Sequence, residues 1–289
     1  MQGLRDRAAA VGAAPQFLAW IEQAIVAGEL ERAAQLAQLA LDAGQTHPLF
    51  FEVRGRWKRR QGALKEALDD LQRAHTLAPN STAILCELAE YLNALGRPRM
   101  AILACGDALA IDPALAGAWF QKGLAHRQLI QPDRAGDCFQ QAVRHDPDMA
   151  PAYAHLANLA ALQGRTEAAR RLAEHALALA PDDLLAAMTI ARADLADGRF
   201  ESAEMRLGVL LERTSDPAIR SFALAGIGDL RDRQGRHDEA FDAYEAAAAA
   251  AAQERRVSPF AEEPAREQIR RVAAVLQTLS PQSSTAAAR

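Results

Sequence analysis

Residues 147–183 read PDMAPAYAHLANLAALQGRTEAARRLAEHALALAPDD. The stretch holds two runs rich in Ala and Leu, which favour helices. Gly164 separates the runs, and Pro147 and Pro181 bound them. Glycine can end a helix in the left-handed conformation, whereas proline cannot continue one. The stretch therefore predicts two helices joined by a tight turn.

Prolines and glycines recur in the same way along the chain at a fixed interval. Prolines stand 34 residues apart at Pro79, Pro113, Pro147 and Pro181, and such a period indicates a stack of helix pairs. With these prolines at position 32, repeats begin at residues 14, 48, 82, 116, 150 and 184, and a three-residue insertion around 214–217 moves the seventh start to 221. Position 20 is then Ala in all seven repeats, and position 15 is Gly in every repeat except one, which has Ile130.

This pattern resembles the tetratricopeptide repeat (TPR) family over residues 14–253. The resemblance implies an all-α fold, a right-handed α-α superhelix (TPR solenoid) of about seven helix-pair repeats plus a C-terminal capping helix. Small side chains at positions 8 and 20 would let neighbouring helices approach closely. The resemblance also implies a non-catalytic, protein-binding scaffold.

The two ends of the chain predict caps for this repeat domain. Residues 1–13 predict a leading cap segment. Residues 254–280 predict a C-terminal capping helix with Ile269, Val272, Leu276 and Leu279 on one face, which covers the seventh repeat or serves as a homodimer contact. Residues 281–289 are small and polar, and we expect them to be disordered.

Composition disfavours several other function classes. A formal net charge of −4 gives no overall attraction to nucleic acid or to a membrane surface. Three cysteines without CxxC spacing indicate a reducing compartment, and no continuous apolar run suggests a leader or a span, so we expect a cytoplasmic protein. Seven scattered histidines predict no metal site, and nothing predicts a cofactor or an enzyme. Three lysines against thirty arginines are typical of a GC-rich bacterium.

The resemblance also implies a binding groove. In the family the inner wall is lined mainly by positions 2, 5, 9, 12 and 13 of each first helix. On this sequence the wall is rich in Arg and amides: Arg56, Arg59, Arg60, Asn93, Phe120, Gln121, Arg127, Gln128, His155, Asn158, Met188 and Arg192. Because Arg and amides bind peptide backbone and carboxylates, we expect a protein or peptide partner of acidic character. The alternative is a solvated helix face without a binding role.

A second, weaker resemblance concerns the end of the repeat domain. Residues 235–247, GRHDEAFDAYEAA, and the Pro-Phe segment that follows are similar to the last repeat of bacterial TPR–sulfotransferase proteins. That similarity implies an alternative function, a substrate-recognition or dimerisation module of a sulfotransferase-type enzyme whose catalytic domain is absent from this chain.

Overall fold

A computed structural model describes residues 14–257. The predicted leading segment 1–13 and tail 281–289 lie outside the described residues, as does the predicted capping helix apart from its first four residues. Within residues 14–257 there are fourteen helices and no strand. They are α1 (Ala14–Val26), α2 (Leu30–Asp42), α3 (Pro48–Arg60), α4 (Leu64–Leu77), α5 (Thr82–Ala94), α6 (Pro98–Ile111), α7 (Ala116–Gln128), α8 (Pro132–His145), α9 (Ala150–Leu162), α10 (Thr166–Leu179), α11 (Leu184–Ala196), α12 (Phe200–Arg213), α13 (Pro217–Arg233) and α14 (His237–Val257).

The helices follow one another as pairs with the period of the sequence. The first helices of six pairs begin at residues 14, 48, 82, 116, 150 and 184. The seventh begins at Pro217, four residues before the start that the sequence register gives. Asp216 explains the difference, because its Oδ1 accepts hydrogen bonds from the backbone N–H groups of Ala218 (2.8 Å) and Ile219 (3.4 Å) and so caps an additional helical turn. Residues 214–216 of the predicted insertion lie between α12 and α13, and its last residue, Pro217, begins α13.

The described residues form two compact units. Among them, unit 1 comprises residues up to Gly164 together with Glu174–Asp183, and unit 2 comprises Arg165–Ala173 and the residues from Leu184 onwards. In unit 1 each helix from α1 to α9 packs against the next, and α5 also contacts α7. In unit 2 each helix from α11 to α14 packs against the next, and α11 also contacts α13. Each unit is an all-α stack of the solenoid type.

Small side chains bring the paired helices together. Each Ala at position 20 is buried, from Ala33 in the first repeat to Ala240 in the seventh. At position 8 of the fourth repeat, a Cβ added to Gly123 would lie 2.6 Å from Phe139 Cε1, so the ring of α8 occupies the space that a side chain on α7 would need. Larger groups at these positions would separate the helices.

No helix among residues 14–257 is long and apolar enough to cross a membrane.

Candidate functional site

The first helices of repeats two to five, α3, α5, α7 and α9, carry most of the predicted groove residues in unit 1. We call the surface formed by those side chains the α3–α9 face; it comprises Arg56, Arg59, Arg60, Asn93, Phe120, Gln121, Arg127, Gln128, His155 and Asn158. Met188 and Arg192 lie on α11 in unit 2. In that unit Met188 packs beside the core, and the Arg192 guanidinium lies 5.4 Å from the centre of the Phe222 ring.

Glutamates neutralise Arg56 and Arg59 near the C-terminal end of α3. Arg56 Nε donates to Glu87 Oε1 on α5 at 2.6 Å, and the guanidinium also pairs with Glu52 at 2.6 Å, one turn away on its own helix. Arg59 pairs with Glu90 at 2.5 Å, and its guanidinium stands 5.1 Å from the centre of the Tyr91 ring. These arginines therefore bridge α3 to α5, and their charges are balanced within the protein.

Burial also affects the carboxylate of this bridge. Burial raises the pKa of Glu87, opposed by the hydrogen bond and the charge of Arg56. Its Oε2 atom is enclosed without a hydrogen-bond partner in the described part of the chain. Glu87 was not among the predicted site residues, although it occupies position 6 of its repeat, as Gln121 and His155 do. The sequence does place Glu87 on the first helix of the repeat that follows Arg56. Because the first helices of successive repeats stack, these two side chains can meet.

A row of amides joins α5 to α7. Asn93 is only 7% exposed, and its Nδ2 donates to the backbone carbonyl of Gln121 (2.9 Å) and to Gln121 Oε1 (3.1 Å). Gln128 Nε2 in turn donates to the backbone carbonyl of Asn93 at 3.0 Å. Within residues 14–257, Asn93 Oδ1 has no donor. The row thus holds the two helices together.

Arg127 differs from Arg56 and Arg59. It is exposed at the end of α7 and forms no ion pair with any described residue, while partial desolvation lowers its pKa. Arg60, also exposed, likewise has no ion pair within the described ranges. Arg127 is thus a partly desolvated cation without a counterion among the described residues, and a cation of this kind gains most from a bound anion.

A histidine and two aromatic rings lie next to Arg127. The ring of His155 stacks on Phe139 with centroids 4.9 Å apart and lies 5.8 Å from Phe120. Burial and, to a smaller extent, the positive charge of Arg127 lower the pKa of His155 to about 4. The imidazole is therefore neutral at pH 7, and it adds no counterion or competing charge beside Arg127.

The α3–α9 face consequently has two electrostatic parts. Its α3 side is a closed network of arginines and glutamates, and its α7 side combines amides, aromatic rings and one uncompensated cation. The sequence indicated a wall rich in Arg and amides, in which Arg56 and Arg59 pair with glutamates of α5. Among residues 14–257, no cluster of His, Cys, Asp and Glu is placed to hold a metal ion.

Helices that stack in antiparallel pairs with small residues between them define a helical-repeat protein. Two tetratricopeptide repeat family models match the chain, one over residues 116–149 and the other over residues 160–226. The chain therefore carries tetratricopeptide repeats over residues 116–149 and 160–226. No curated protein matches it in sequence.

Several solved structures share this fold. Pseudomonas aeruginosa pilF is similar with a TM-score of 0.60 and 15% identity, covering 72% of this chain and 92% of that one. A tetratricopeptide repeat protein of Parabacteroides merdae is similar with a TM-score of 0.59 and 19% identity, covering 81% of this chain and 92% of that one. TTC0263, a thermophilic TPR protein of Thermus thermophilus, is similar with a TM-score of 0.51 and 25% identity, covering 63% of this chain and 100% of that one. These likenesses are evidence for the fold; the resemblance to TPR–sulfotransferase proteins stays a prediction.

Proposed function

We propose that this chain is a non-catalytic scaffold that binds an extended segment of a partner protein on the α3–α9 face. Tetratricopeptide repeats bind protein or peptide partners, and the three free cysteines suit the reducing cytoplasm. Gln121 and Gln128 of the amide row, which are less buried than Asn93, offer hydrogen bonds to a peptide backbone.

The observation that carries the proposal is the uncompensated charge of Arg127 beside this row. A carboxylate, from an acidic side chain or a chain end, would form charge-assisted hydrogen bonds with the guanidinium. Arg60 adds a second cation without an ion pair among the described residues. Arg56 and Arg59 serve the α3–α5 bridge first, so they contribute little to the attraction of an acidic ligand.

Charge-matched peptide pools test this function. Three fluorescent decapeptide pools, blocked at both ends and carrying Glu, Gln or Lys at alternate positions with random neutral residues between, are titrated with the protein by fluorescence anisotropy. We expect the Glu pool to bind most tightly and the Lys pool least. Affinity for the Glu pool should fall as salt rises, because the attraction is partly screened.

Arg127→Ala should weaken binding of the Glu pool roughly five- to tenfold, since a hydrogen bond to a partly exposed charge contributes about 1–1.4 kcal/mol. Arg99→Ala is the matched control: Arg99 is exposed on α6, a second helix of unit 1, and its loss should leave affinity unchanged. Equal binding of all three pools, or wild-type affinity in Arg127→Ala, would refute the proposed use of this face.

A further inference from the structure

The turn after α7 contains an isoleucine where the corresponding turns contain glycine. Ile130 has a φ of +57° and is 87% exposed. At the same position the other repeats have glycines with φ between +65° and +79°: Gly28, Gly62, Gly96, Gly164, Gly198 and Gly235. Only glycine adopts this left-handed region freely, and a β-branched residue is strained there.

Hydrogen bonds around the turn impose this conformation on Ile130. Its N–H donates to the carbonyl of Arg127 at 3.0 Å, and the N–H of Gln131 donates to the carbonyl of His126 at 3.0 Å. The His126 ring is buried, and its Nδ1 lies 2.8 Å from Gln131 Oε1. These hydrogen bonds fix the backbone of the turn, and they therefore fix the position from which the Ile130 side chain projects.

Packing of the Ile130 side chain does not compensate for the strained backbone at this position. A side chain that is 87% exposed buries almost no apolar surface, so packing within the chain does not offset the conformational cost. Strain of this kind persists at sites where a ligand uses the residue. Arg127, the uncompensated cation, lies one helical turn before Ile130, and exposed Gln128 lies between them.

We propose that Ile130 is a specificity residue that contacts an apolar side chain of the bound segment, next to the carboxylate held by Arg127. This inference rests on the proposed function and narrows the partner. The bound segment has an acidic residue followed or preceded closely by a large apolar residue. The charge of Arg127 selects the acidic group, and the rigid turn places the apolar surface of Ile130 beside it.

The test compares two further peptide pools by fluorescence anisotropy. Both carry Glu at alternate positions; one has Leu at the intervening positions and the other has Ser. Wild-type protein should prefer the Glu–Leu pool. Ile130→Gly should lower affinity for that pool threefold or more, to about its affinity for the Glu–Ser pool, and should raise the melting temperature by about 2–4 °C because the strain is relieved.

Three variants serve as controls. Ile130→Asn tolerates the left-handed conformation without supplying apolar surface, so it should bind like Ile130→Gly. Ile130→Leu should keep the preference for the Glu–Leu pool. Leu103→Ala removes an exposed apolar side chain from α6, a second helix, and should bind like wild type.

The outcomes separate this inference from the proposed function. If Arg127→Ala weakens binding but Ile130→Gly does not, Ile130 is no contact residue and the inference fails alone. If neither variant weakens binding, the proposed function fails. Self-association in analytical ultracentrifugation that is abolished in Ile130→Gly, with peptide binding unchanged, would also overturn the inference and assign the residue to a contact between two copies.

Discussion

Gly123 shows how little space position 8 offers between paired helices. An added Cβ would lie 2.6 Å from Phe139 Cε1, closer than carbon atoms approach without displacement. Phe139 is fully buried, so the ring cannot move out of the way freely. The sequence predicted a small residue here, but it could not show which neighbouring side chain makes it necessary.

Gly123→Ala should therefore destabilise the protein by about 1–2 kcal/mol, because overpacking exceeds the gain in helix propensity. Gly106→Ala is the matched control on α6, where an added Cβ meets nothing within 4 Å; it should stabilise by about 0.5–1 kcal/mol. Urea unfolding followed by circular dichroism measures both. A Gly123→Ala variant as stable as Gly106→Ala would show that α7 and α8 are not packed as described.

At the scale of the elements, buried ion pairs connect neighbouring helices. In unit 2 Asp194 of α11 is only 1% exposed. Its carboxylate accepts hydrogen bonds from Arg170 at 2.5 Å, Ser202 at 2.8 Å and Arg206 at 3.1 Å. In unit 1 Asp70 accepts from Arg54 and, at 2.7 Å, from Lys58. Helix lengths followed from periodicity. The pairs of Asp70 lie within one repeat, and the pair of Asp194 with Arg170 joins two repeats. Both depend on side-chain placement, which a one-dimensional register does not supply.

These aspartates should make stability depend on pH. Burial alone would raise the pKa of Asp194, but the hydrogen bonds and charges of Arg170, Ser202 and Arg206 together hold it below its usual value. A carboxylate whose pKa is lowered by folding stabilises the folded protein at pH values above its unfolded pKa of about 3.9. This contribution is lost as the pH falls through the pKa of the folded state.

Asp194→Asn should cost about 2–4 kcal/mol at pH 7, since it leaves the charge of Arg170 poorly compensated. The deficit relative to wild type should shrink as the pH falls from about 5 to 3. Unfolding midpoints in urea at pH 7, 5, 4 and 3 measure this. Asp107→Asn, on the exposed side of α6, should change stability by less than about 0.5 kcal/mol. A deficit that stays constant with pH would contradict the assignment of the network.

For the whole molecule, the sequence allowed the fold to be predicted further than the site. Alanines, turn glycines and prolines recur at one period, because each repeat must satisfy the same packing with its neighbours. The α3–α9 face obeys no such rule. The repeat register placed Arg56 and Arg127 on the same predicted wall, yet Glu87 neutralises the first and no described acid neutralises the second. Glu87 comes from the adjacent repeat, so only the folded chain distinguishes an arginine that pairs within the protein from one that does not.

The most direct test of the binding account is side-chain NMR of the α3–α9 face during titration with the Glu peptide pool. We predict that the Arg127 Nε–Hε signal and the amide signals of Asn93, Gln121 and Gln128 shift progressively and saturate together with the anisotropy signal. The Arg99 signal, away on α6, should stay unchanged. Saturable binding of the Glu pool with none of the α3–α9 signals moving would contradict the account and place the partner on another surface.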